Sequence, residues 1–69
     1  MKTREQVYAE CARIVKECDT RGQISTSCSV DDVVYGLLDF VYGYDDMPDD
    51  ERDMYYDCML EAWRSYGGN

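Results

Sequence analysis

Between Asp45 and Tyr66 the chain reads DDMPDDERDMYYDCMLEAWRSY, and its polarity repeats with the period of an α-helix. At about 100° per residue, Tyr55, Cys58, Met59, Ala62 and Tyr66 fall on one face, with Trp63 at its border. Asp50, Asp53, Asp57 and Glu61 fall on nearly the opposite face, and Asp46 joins them if the helical phase extends back that far. One side is built for burial. The other is a row of up to five carboxylates spread over roughly 22 Å at about 1.5 Å per residue. Pro48 suits the first turn, where its missing N–H is no loss, and Asp49, Asp50 and Glu51 favour the positive end of the helix dipole. Gly67-Gly68 closes the helix, which is expected over about residues 48–66.

The rest of the chain predicts two more helices. Thr3-Arg4-Glu5-Gln6 has the form of a capping box. Val7, Tyr8, Cys11, Ile14, Val15 and Cys18 follow as a stripe at helical spacing. On the other side Arg13 has Glu10 and Glu17 as possible ion-pair partners. Gly22 is a natural stop, so the first helix spans about 4–21. Residues 22–29, Gly-Gln-Ile-Ser-Thr-Ser-Cys-Ser, read as a loop with Ile24 tucked under the bundle. Ser29, Asp31 and Asp32 then give a hydroxyl cap and first-turn carboxylates. Val30, Val33, Val34, Leu37, Phe40 and Val41 form a wide apolar arc opposite Asp31, Asp32, Tyr35, Asp39 and Tyr42. That predicts a second helix over about 30–42, ended by Gly43. Three amphipathic helices with short connections imply an all-α, compact three-helix bundle occupying residues 1–69 as a single domain. The β-branched run and Gly36 leave an alternative, an α+β fold with a short hairpin in residues 23–36.

Chemistry is bounded by what is missing. A chain of 69 residues builds one thin core and has little stability to spare for a deep cleft. It contains no His, which removes Ser–His and Cys–His nucleophile pairs. Carboxylates in a row on a solvated face share one environment, whereas acid/base work needs two that push the pKa values apart. No 12-residue frame in Asp45–Asp57 has the Gly and Glu of a calcium loop, and no phosphate-binding glycine loop is present. Cys11, Cys18, Cys28 and Cys58 lack the spacing of a zinc site. Cys11, Cys18 and Cys58 fit better as small buried hydrophobes, with Cys28 the thiol most open to reaction. The expectation is therefore no enzyme, no cofactor and no metal.

Charge points to the partner. Residues 1–22 carry five basic and four acidic side chains, +1, and residues 23–69 carry two basic and eleven acidic ones, −9, which together make the net −8. Such a surface repels nucleic acid and anionic membrane and attracts basic protein surfaces. Acidity also serves solubility on its own. The exposed tyrosines expected beside the carboxylates, Tyr35, Tyr42, Tyr44 and Tyr56, shift the balance toward an interface, because they add rigid amphipathic contact area. Tyr8, Tyr55 and Tyr66 are expected to pack between helices. The candidate partner-binding residues are Asp32, Tyr35, Asp39, Tyr42, Asp45, Asp46, Asp50, Asp53, Asp57 and Glu61. The N-terminus has no signal-peptide core and no run reaches the length of a membrane span, so a cytoplasmic setting is expected.

The stretches DDVVYGLLDFVYGYDD and DDMPDDERDMYYD, in so short and acidic a chain, resemble phage-encoded anti-CRISPR proteins and DNA-mimic inhibitors. The resemblance lies in size and composition and implies a setting in the host bacterial cytoplasm. It also implies a partner, the basic surface of a CRISPR–Cas ribonucleoprotein, blocked by a monomer or weak homodimer. The alternative is a non-inhibitory regulatory or assembly partner, an antitoxin-like binder or oligomer subunit, using the apolar residues Met47, Met54, Leu60 and Trp63.

Overall fold

Thr3 starts the first helix as a reciprocal cap. Its hydroxyl oxygen accepts from the Gln6 backbone N–H at 3.2 Å, and its own N–H donates to Gln6 Oε1 at 2.9 Å. Helix α1 then runs Arg4–Thr20, in a computed structural model that describes residues 2–20 and 29–67. Ser29 caps α2 (Val30–Leu38) by accepting from the Asp32 backbone N–H at 3.3 Å. Helix α3 runs Asp49–Tyr66. Pro48, expected inside its first turn, takes the cap position just before it, with φ −66° and ψ 160°. Gly67 ends α3 at φ 111°, and its N–H donates to the Arg64 carbonyl at 3.2 Å. Among the described residues all regular structure is helical, and the fold is a three-helix bundle. Residues 30–36 of the alternative hairpin are helix, and 23–28 lie outside the described residues, as do Gly22, Ile24, Cys28 and Gly68.

The second helix is shorter than its pattern predicts. It stops at Leu38, and residues 39–43 turn before a short 3₁₀ helix, Tyr44–Asp46. Phe40 N–H donates to the Leu37 carbonyl at 3.1 Å and Val41 N–H to the Leu38 carbonyl at 3.0 Å, both three-residue closures. The period tightens from 3.6 to 3, so Leu38, Val41 and Tyr44 point inward in succession. Phe40, predicted to be core, is thereby turned out and is 48% exposed. Gly43 takes φ 75° and lets the chain reverse into α3.

Helix α3 is the centre of the bundle: it packs extensively on α1 and well on α2, while α1 and α2 barely touch. The core joins Val7, Cys11, Ile14, Val15 and Cys18 of α1 to Val33, Val34, Leu37 and Leu38 of α2. Tyr55, Cys58, Met59, Ala62 and Trp63 of α3 lie between the two sets. Tyr55 is 1% exposed, yet its phenol is satisfied at the edge of the core. The hydroxyl donates to Glu10 Oε1 at 3.1 Å and accepts from Lys2 Nζ at 3.2 Å, and Lys2 in turn pairs with Glu10 at 2.7 Å. Glu10 is thus held by Lys2 instead of Arg13, which makes no ion pair among the described residues. Tyr8 is partly buried, whereas Tyr66 is 45% exposed and donates to Asp19 Oδ2 at 2.7 Å.

Met59 is fully buried at the centre of α3, so Met59→Ala should lower the free energy of unfolding by about 2–5 kcal/mol in urea titrations. Gly36 sits mid-helix with open space where a Cβ would stand, so Gly36→Ala should raise it by about 0.5–1 kcal/mol.

Candidate partner-binding surface

All ten candidate residues are exposed, but they are not equivalent. Asp32 and Tyr35 lie on α2, Asp39 directly follows it, and Tyr42, Asp45 and Asp46 belong to the turn and the 3₁₀ segment. Tyr42, expected on the polar face of the second helix, instead projects from the turn with 98% of its surface exposed. Asp46 also stands outside α3, separated from it by the extended Pro48, so the helical row is Asp50, Asp53, Asp57 and Glu61. That row is about 16 Å long at about 1.5 Å per residue.

The row divides into two electrostatic halves. Glu61 accepts from Arg4 Nη2 at 3.3 Å, and Asp57 and Glu61 line a shallow cleft with Arg4 and Arg64. The C-terminal half is therefore partly neutralised by α1. Sequence could not show this, because Arg4 and Glu61 are far apart along the chain. At the other end Arg52 binds Asp49. Asp45, Asp46, Asp50 and Asp53 have no ion-pair partner among the described residues. Asp39, Asp45, Asp46 and Tyr42 line an open cleft of about 380 Å³ formed by the turn.

Beside the unpaired carboxylates runs a strip of tyrosines along the meeting line of α2 and α3. The rings of Tyr35 and Tyr56 are 5.3 Å apart between centroids and tilted by 49°, a favourable aromatic pair. Tyr56 donates to Asp31 Oδ1 at 2.6 Å, which fixes the ring across the two helices. That hydrogen bond to Asp31, with desolvation second, pushes the Tyr56 phenol up to about 12. Tyr44 lies in electrostatic reach of Tyr35, Asp53 and Asp45, and burial above all raises its pKa. Asp31 was not among the candidates; its spacing of four from Tyr35 on one helix face is the signal for it.

The apolar residues of the alternative reading are buried to different degrees. Met47, Met54 and Leu60 pack against the core and Trp63 is part of it. Cys11, Cys18 and Cys58 are buried as expected, and burial pushes the Cys11 thiol up to about 12 and raises Cys58 as well. Those two thiols stay protonated and unreactive near neutral pH. Among the described residues no three Cys, Asp or Glu side chains are placed to hold a metal ion, and no helix is long and apolar enough to cross a membrane. The chain matches no protein-family model, no curated protein and no solved structure.

Tyr44, Tyr55, Tyr56 and Tyr66 all have phenol pKa values raised by folding, through burial for the first two and hydrogen bonds to carboxylates for the others. The unfolded chain releases those protons first. Their contribution to stability is therefore complete below the unfolded value of about 10 and is lost as pH rises through their folded values, which for Tyr56 is about 12. Urea midpoints measured across this range should fall, while tyrosinate absorbance of the folded protein should rise later than that of the urea-unfolded chain.

Proposed function

We propose that this protein is a small acidic inhibitor that covers a basic, nucleic-acid-binding surface on a partner protein. The partner class the proposal favours is a crRNA-guided complex whose DNA binding is blocked, in the manner of anti-CRISPR proteins. The observation that carries the reading is a set of carboxylates without ion-pair partners among the described residues, Asp45 and Asp46 beside exposed Tyr42 in the turn and Asp50 and Asp53 at the start of α3, with exposed Tyr35 on α2. Duplex DNA offers closely spaced fixed negative charges to Arg and Lys grooves, and carboxylates repeated at each helical turn present a similar array. The tyrosines add the rigid contact area that a bare charge row lacks. Of the apolar residues an assembly subunit would use, Trp63 is buried and Met47, Met54 and Leu60 are partly buried against the core, which favours the acidic face as the contact surface.

The test is a mobility-shift assay in which purified crRNA-guided complexes of several types are titrated with the protein before target DNA is added. At least one complex should lose DNA binding at a stoichiometric ratio, and the block should weaken as ionic strength rises. The variant Asp46→Lys/Asp50→Lys/Asp53→Lys should fail to block it. If no complex is inhibited, or the reversed variant inhibits as well as the parent, the reading is wrong.

A further inference from the structure

The tyrosine strip has properties that the charge row does not explain. Tyr35 is 58% exposed, as Phe40, Tyr42 and Tyr66 are to differing degrees, but it is held against a second ring across the two helices. It leans on Tyr56 at 5.3 Å, and Tyr56 is tied to Asp31 at 2.6 Å, so the exposed face of Tyr35 is held in place before any partner arrives. Preorganised aromatic area of this kind lowers the ordering cost of association. Carboxylates border it: Asp31 is bonded to Tyr56, and Asp57 lies within electrostatic reach of the same ring.

Three occupants of this face are disfavoured by charge. A second copy of the chain brings another −8, and a two-fold interface would set these same carboxylates against each other. Nucleic acid and anionic lipid are repelled for the same reason. A cationic protein segment is attracted. Between its two basic side chains, the geometry favours arginine. A guanidinium is planar and weakly hydrated, so it can stack on a ring face while its edge donates to a neighbouring carboxylate. A lysine ammonium gains the charge attraction but holds its water more tightly and cannot stack.

We propose that the Tyr35–Tyr56 platform, with Asp31 and Asp57 at its border, is an arginine-selective docking site for a protein partner. The proposal rests on the acidic-inhibitor reading and adds to it where the partner sits and which side chain it inserts.

Titration calorimetry of the intact protein with short oligo-arginine and oligo-lysine peptides of equal length, at low salt, tests it. Oligo-arginine should bind more tightly. Tyr35→Ala should reduce its affinity about two- to five-fold and that of oligo-lysine by less, narrowing the gap between them, while Tyr35→Phe keeps the preference. Tyr35 is exposed, and an unaltered helical circular dichroism spectrum confirms that the variants stay folded. Equal affinity for the two peptides with no effect of Tyr35→Ala would overturn the arginine site and leave the acidic-surface reading standing. Absence of binding by either peptide would overturn both.

Discussion

Everything in this bundle depends on the apolar face of α3. With α1 and α2 in little contact, α3 is, among the described residues, the element that both pack against, and its central residues Tyr55, Cys58 and Met59 are almost wholly removed from water. In a chain of this size no second core exists to compensate. The Lys2–Glu10–Tyr55 cluster closes the open edge of the core by giving a buried phenol two charged partners. It also anchors the N-terminal end of α1 to the middle of α3.

The same packing sets the electrostatics. Because α1 lies along α3, Arg4 reaches Glu61, and the acidic row is softened on the side facing the only nearly neutral segment of the chain. Because α2 and the turn after it are themselves acidic, the opposite end accumulates negative charge, and among the described residues the basic side chain of that region, Arg52, is already engaged by Asp49. Negative potential is thus concentrated around the reversal between α2 and α3, next to the tyrosine strip. An evenly charged rod becomes a surface with a centre.

Much of this was readable from residue order, and what was not has definite causes. The helix starts were legible at Thr3 and Ser29 because capping is local chemistry. The core stripes followed from periodicity, and most were found. The end of α2 was misjudged because the apolar pattern persists through Phe40 and Val41. There the switch to a three-residue closure keeps Val41 inside and turns Phe40 out, and a count of apolar spacings alone does not register that change. Tyr66 was misplaced because helical phase alone puts it on the buried face, whereas its ring is 45% exposed and its hydroxyl donates to Asp19 of α1 at the surface. At the candidate site the ten residues named are exposed as expected, but Tyr44 and Tyr56, also expected outside, are partly buried against the core. The division of the carboxylates into paired and unpaired halves was not foreseen. That division depends on Arg4 and Glu61 meeting across the bundle, which is a property of packing.

The central claim is that partner contact is focused where α2 turns into α3. Backbone amide chemical shifts of the isotope-labelled protein, followed during titration with oligo-arginine, examine it residue by residue. The account expects the largest changes at Tyr35, Asp46, Asp50, Asp53 and Tyr56, with little change along the outer face of α1. Changes centred on Glu5, Glu17 and Glu61, or spread evenly over every carboxylate, would contradict it.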